Sequence, residues 1–246
     1  MNRNIIVGGG VIGMLTAIEL ATAGNEVILF ERGETGRESS WAGGGIISPL
    51  FPWRYLDSVS RLASWSQAAY PALCEELHKQ TGIDPEHTRC GLLLIAPDEA
   101  NVAQDWAERH NSQLILVDRA EFQRLEPQAA FPPDEALWMP EVAQVRNPRI
   151  VRALRARIDQ LGVEIRTGEK ELGLVQAHGS CIGIESAQGT CLADSVTICA
   201  GAWSGGLLAD LPSPPAVRPI RGQMLLFRAA PGTISRMVLE DTRYII

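Results

Sequence analysis

Ile5-Ile6-Val7-Gly8-Gly9-Gly10-Val11-Ile12-Gly13, continued by helix formers to Gly24 and then by Glu26-Val27-Ile28-Leu29-Phe30-Glu31, decides the fold of this chain. A short apolar run enters a glycine turn. Residues 11–23 then place Ile12, Leu15 and Ile18 near helical spacing before Gly24 stops the helix. The unbroken apolar run after Glu26 suits a parallel strand buried on both faces. The glycines of the motif serve different ends. Gly8 allows a tight turn, Gly10 lets the backbone approach a pyrophosphate, and Gly13 lets the helix pack closely on the strands. Val11 and Ile12 open a helix whose N-terminus offers unpaired N–H groups and partial positive charge to phosphate. Glu31, ending the second strand, can accept hydrogen bonds from ribose hydroxyls. Its charge disfavours the 2′-phosphate of NADP, with the adjacent Arg32 as the one opposing feature. Strand, helix and acid stand at the spacing of a β-α-β cradle for the ADP half of a dinucleotide.

The glycines alone do not separate FAD from NAD, whereas the next stretch favours FAD. Glu38-Ser39-Ser40-Trp41-Ala42-Gly43-Gly44-Gly45-Ile46-Ile47 follows the second strand. Ser39 and Ser40 can donate to phosphate oxygens, and the small residues Ala42, Gly43, Gly44 and Gly45 permit backbone N–H groups to touch a flat ring system. The span from Arg37 to Pro52, rich in Gly, Ser and Pro, is expected to be a structured loop without regular helix.

The chain has 246 residues, enough for one large domain or two modest ones. Its net charge of −7 supplies no basic surplus to replace phosphate counterions, so a nucleic-acid partner is not expected. The five cysteines are scattered and never spaced as CxxC, which argues against a disulfide framework or a zinc site. The four histidines lie far apart and read as surface residues, so no metal is expected. The apolar run at residues 5–7 is too short for a signal peptide, and no segment approaches a membrane span. A cytoplasmic protein is expected, and self-association is compatible with the sequence.

Further along, residues 57–80 read as helix with a break at Pro71, and 92–96 and 114–117 as strands. Asp118 with Glu121 forms a capping-box pattern, and Asn147-Pro148 opens a helix that ends near Gly162. From 163 the pattern turns to strands: 163–166, 172–177, 181–185 (the last two joined through His178-Gly179-Ser180), 196–200, 223–227 and 237–239. Trp53, Trp65, Trp106 and Trp138 are expected in cores or domain seams. Arg243-Tyr244-Ile245-Ile246 reads as the interior of a strand, from which a piece of a longer protein is expected.

The glycine cradle, Glu31-Arg32 and the Ser39-to-Gly45 block resemble the D-amino-acid oxidase family of flavoenzymes. The likeness is greatest to its glycine-oxidising members that feed thiamine biosynthesis. Asn147-Pro148-Arg149, Cys199-Ala200-Gly201-Ala202-Trp203-Ser204-Gly205 and Pro219-Ile220-Arg221-Gly222-Gln223-Met224 extend the resemblance through the chain. It implies an α/β fold in which a Rossmann-like FAD-binding domain is interleaved with an α+β substrate domain on an antiparallel sheet. The FAD domain would comprise residues 1–80 and 145–213, and the substrate domain 81–144 and 214–246.

The resemblance further implies that Ala200, Gly201 and Trp203 lie over the cofactor, that Glu171 touches the adenine end through its backbone, and that the Tyr244 hydroxyl helps bind a substrate carboxylate. The implied reaction is oxidative deamination of glycine, or another small or N-methylated amino acid, with O2 as electron acceptor and hydrogen peroxide as product. A dehydrogenase using a quinone or another carrier, and an inert nucleotide-binding fragment, are the alternatives. The family's carboxylate-pairing arginine and its later glycine-rich segment have no counterpart here. Arg54, Arg146, Arg218, Arg221 and Arg243 each read as a solvated charge or local ion pair. Ile46 and Ile47 are expected to restrict substrate size.

Overall fold

A computed structural model describes all residues, Met1–Ile246. The chain divides into two compact, discontinuous units: Met1–Gly43 with Leu77–Asp84 and Asn147–Met224, and Gly44–Glu76 with Pro85–Arg146 and Leu225–Ile246.

In the first unit the opening residues form β1 (Arg3–Val7), α1 (Val11–Thr22) and β2 (Glu26–Glu31). β1 is central in a four-stranded parallel sheet, flanked by Ser195–Ile198 on one side and by β2, then Glu164–Thr167, on the other. The sheet is buried on both faces, which is why β2 shows no polar alternation. On one face Ile5, Val7, Ile28 and Phe30 pack with Ile184 and Cys191, which belong to a three-stranded antiparallel sheet of Gly173–Ala177, Ser180–Ser186 and Gly189–Leu192. On the other, Ile6 and Leu29 are fully buried on the side of α1, which packs in turn against the helix Asn147–Gln160.

The second unit is built on a five-stranded sheet in the order Arg243–Ile245, Met237–Glu240, Leu92–Ile95, Glu135–Met139, Ile115–Asp118. The sheet is mixed and not purely antiparallel, because Met237–Glu240 runs parallel to Leu92–Ile95. Alternation along the strands sends Leu92, Leu94, Leu137, Met139, Met237 and Leu239 to a core shared with Phe51, Trp53 and Trp106. Leu93, Val117 and Ala136 face Phe122 and Leu125 of the helix Arg119–Leu125. That helix is capped as its sequence indicates, Asp118 Oδ1 accepting from the Glu121 N–H at 2.8 Å.

Several expectations are corrected. The segment after Arg37 contains a single helical turn, α2 (Ser39–Ala42). The helix Asp57–Thr81 runs through Pro71 without a break. Losing one backbone hydrogen bond to proline costs about 3 kcal/mol, and burial of Cys74 and Leu77 on the same helix opposes that cost. Trp65 is 72% exposed, unlike buried Trp53 and Trp106. Residues 223–227 have a strand-like composition but form no strand, and Leu225, Leu226 and Phe227 stay exposed. His110, expected on the surface, is largely covered, stacking on Trp106 and lying 3.3 Å from Asp57.

Glu126 is buried in the second unit, and its Oε2 accepts from the backbone N–H groups of Ser235 and Arg236 at 2.7 and 2.8 Å. Glu126→Ala leaves both part-buried donors without this acceptor. It is expected to destabilise the protein by about 2–4 kcal/mol, read as a lower denaturant midpoint.

Candidate cofactor site

The turn between β1 and α1 is shaped by what its glycines omit. Gly8 has φ +111°, and a Cβ there would meet the Cys199 carbonyl oxygen at 2.3 Å. A Cβ on Gly13 would lie 1.8 Å from the Gly8 carbonyl oxygen, a distance no packing adjustment absorbs. Gly10 differs from both, since its Cβ would meet only Ser40 Oγ, at 3.1 Å. The first two glycines therefore hold helix and strands together, while Gly10 keeps backbone open.

That open backbone borders a cavity of about 850 Å³ in the first unit. Of the residues expected to bind cofactor, Gly8, Gly10, Val11, Ile12, Glu31, Arg32, Ser39, Ser40, Glu171, Ala200, Gly201 and Trp203 line it. Gly13 does not, because it faces Gly8. Ala42, Gly43, Gly44, Gly45 and Tyr244 are also not among its lining residues.

Polar groups at the rim are held in place. Ser40 Oγ accepts from the Val11 N–H at 3.0 Å, which leaves its own proton free to point elsewhere. The Ser40 carbonyl accepts from Asn147 Nδ2 at 3.0 Å, and Gly43 makes room, since a Cβ there would lie 2.7 Å from that same nitrogen. Glu31 is buried, and its two oxygens accept from the Gly9 and Gly33 N–H groups at 2.7 and 2.8 Å. Each carboxylate oxygen keeps lone-pair capacity for a further donor.

Arg32 is already engaged: its guanidinium stacks 3.5 Å from the centroid of the Trp203 ring and pairs with Glu38 at 2.8 Å. An arginine committed in this way does not offer a free clamp for a 2′-phosphate. Burial pushes the Cys199 thiol up, so this cavity wall presents a neutral thiol and no thiolate nucleophile.

Sequence reasoning missed two features. Asn147, read only as a helix start, also fixes the Ser40 carbonyl. Glu169 lines the cavity and is 4% exposed, with its N–H donating to the Glu31 carbonyl. Its setting, Gly168-Glu169-Lys170-Glu171, carries the polar signature of a surface turn and gave no sign of burial.

In the second unit, Tyr244 is half-buried and packs against the core cluster, as does Ile46. Ile47 is buried in a short strand paired with Ala143. Arg54 pairs with Glu99 and Arg146 with Glu86, while Arg218, Arg221 and Arg243 are exposed.

A Rossmann-type sheet, a glycine turn opening onto a large cavity, and a fixed carboxylate at the end of β2 together have the form of a dinucleotide-binding site. Residues 3–245 match the FAD dependent oxidoreductase (DAO) family, and the chain belongs to that family. FAD is its cofactor, and the cradle fits one: Gly10 leaves backbone open to a pyrophosphate at the point where Ser40 and the start of α1 converge. The chain is 44% identical to a glycine oxidase of Pseudomonas aeruginosa, over 99% of its own length and 67% of that protein's. It is 28% identical to a bifunctional ThiO/ThiG protein of Trichormus variabilis, covering 38% of that protein and all of itself. The crystal structure of glycine oxidase from Geobacillus kaustophilus superposes with a TM-score of 0.87 at 27% identity, over all of this chain and 68% of the other. The chain thus spans about two thirds of the length of the glycine oxidases it matches.

Two substitutions separate architecture from ligand contact. Gly13→Ala is expected to abolish FAD binding together with a large loss of stability. Ser40→Ala should weaken FAD binding about tenfold, the value of one well-placed hydrogen bond, and cost about 1 kcal/mol of stability as the Val11 N–H loses its acceptor, far less than Gly13→Ala. Isothermal titration with FAD reads the binding and chemical denaturation the stability.

Proposed function

We propose that this chain is an amino-acid oxidase acting on glycine, or on another small or N-methylated amino acid, in thiamine biosynthesis. The observation that carries the reading is the 44% identity to glycine oxidases over nearly the whole chain, together with the cavity-lining cradle. The ThiO/ThiG relatives support the pathway assignment. The net reaction converts glycine, O2 and water to glyoxylate, ammonia and hydrogen peroxide. Bound FAD supplies the hydride acceptor and the site of reoxidation by O2.

The roles follow the residues. The N–H groups at the start of α1 and the Ser39 and Ser40 hydroxyls bind the pyrophosphate, and Glu31 accepts from the ribose. Arg32 and Trp203, stacked on one another, form a wall at the same end, with Ala200, Gly201 and the Glu171 backbone completing it. Ala42, Gly43, Gly44 and Gly45 offer backbone to the ring system. The FAD-binding domain, expected at 1–80 and 145–213, corresponds in the main to the first unit, except that Gly44–Glu76 groups with the second, and Tyr244 of the substrate domain donates to the substrate carboxylate. With the amine bound neutral, no strong protein base is needed, so the chain's contribution is orientation. No helix is long and apolar enough to cross a membrane. A cytoplasmic location and self-association belong to the same reading.

The test is peroxide formation and oxygen uptake by the FAD-loaded chain supplied with glycine under air. Glycine-dependent peroxide is expected. Reduction of an added dye without peroxide would favour a dehydrogenase, and neither activity would contradict the reading. Tyr244→Phe is expected to raise KM for glycine about tenfold, one hydrogen bond to a charged group, while the FAD affinity measured by titration stays unchanged.

A further inference from the structure

Three glycines stand in a row at 43–45, and each is there for a different reason. Gly43 leaves space for Asn147. Gly45 has φ +78°, in the left-handed region that favours glycine. Gly44 has neither explanation: its φ lies outside that region, and it belongs to the second unit. What it faces is Tyr244. A Cβ built on Gly44 would lie 2.6 Å from Cε2, 2.9 Å from the hydroxyl oxygen and 3.1 Å from Cζ of that ring. The hydroxyl-bearing edge of Tyr244 therefore rests directly on the Gly44 backbone.

The ring has limited freedom to retreat. Tyr244 lies in the hairpin strand Arg243–Ile245, opposite fully buried Leu239, and its side chain packs against the core around Leu92, Leu94 and Met237. A methyl group at position 44 must displace the far end of the tyrosine by several tenths of an ångström, which is the end that carries the hydroxyl. A hydrogen bond weakens steeply with such misplacement.

We propose that Gly44 is a positioning residue for Tyr244, its missing side chain setting where the phenolic hydroxyl meets the substrate carboxylate. The inference rests on the reading of Tyr244 given under Proposed function, and adds a residue that acts through it. The glycine loop then serves both units: its first half shapes the rim of the cofactor cavity, and Gly44 seats the side chain that holds the substrate.

The experiment uses the full FAD-loaded chain and four forms: wild type, Gly44→Ala, Tyr244→Ala and the double variant. KM and kcat for glycine, the dissociation constant of acetate (an unreactive carboxylate) read from the flavin spectrum, and the dissociation constant of FAD are measured on each. Gly44→Ala is expected to raise KM and the acetate constant about tenfold, the value of one misplaced hydrogen bond. With each form measured at saturating FAD, KM should rise more than kcat falls, and in the Tyr244→Ala background the alanine at 44 should raise KM and the acetate constant no further, because the two residues act as one coupled pair.

An unchanged KM in Gly44→Ala, or an equal rise with and without the tyrosine ring, would overturn the proposal while leaving the oxidase reading intact. A wild type that neither oxidises glycine nor binds acetate would overturn the oxidase reading and this proposal with it. Should Gly44→Ala fold poorly, denaturant midpoints of the same four forms read the contact. The cost of alanine at 44 must then vanish when residue 244 is alanine, and a cost that persists overturns the contact.

Discussion

The structure of the first unit turns on one close approach, that of Gly13 to the carbonyl of Gly8. With no Cβ between them, α1 begins almost in contact with the end of β1, and the N–H groups of its first turn are delivered to the mouth of the cavity. Any larger side chain at 13 pushes helix and strand apart, and every later feature of the site is referenced to that pair. The Phe30 carbonyl accepts from the Gly8 N–H and the Val7 carbonyl from the Cys199 N–H, so the glycine turn is also bound to the strands on either side.

From that contact a chain of short interactions runs outward. Val11 donates to Ser40, Ser40 accepts from Asn147, and Asn147 opens the helix that packs on α1. Gly36 belongs to the same arrangement: its N–H donates to the Gly9 carbonyl, and its missing Cβ, which would fall 2.1 Å from Val151 Cγ1, admits that helix. Residues far apart in sequence thus fix the loop after β2 against the loop before α1. A dinucleotide has two walls to bind because both loops are held by backbone and short side chains, which lose little entropy on ordering.

Much of this was legible in the sequence because glycine carries positional meaning. Gly8, Gly10 and Gly13 could be given separate roles from residue order alone, as could the acid at 31 and the cap at Asp118. The misreadings have a common physical origin. Pro71 predicts a helix break only if local cost decides, and burial elsewhere on the helix outweighed it. Residues 223–227 have strand composition, but a strand exists only where another pairs with it. Trp65 was judged from residue type and Glu169 gave no local signal at all, because burial is set by neighbours distant in sequence: the tryptophan is exposed and the glutamate enclosed. Gly44 could be seen as a small residue in a small-residue loop, but its contact with Tyr244 spans two hundred positions and leaves no local signal.

The central claim is that the cradle between β1 and β2 is a site for FAD, with Arg32 withdrawn from any 2′-phosphate by Trp203 and Glu38. The most direct measurement is a competition titration of the purified chain, with bound flavin followed by its visible absorption while NAD or NADP is added in large excess. One FAD per chain, not displaced by either nicotinamide dinucleotide, is the predicted result. Displacement of FAD by NADP, or a chain that takes up no flavin while binding NAD, would contradict it.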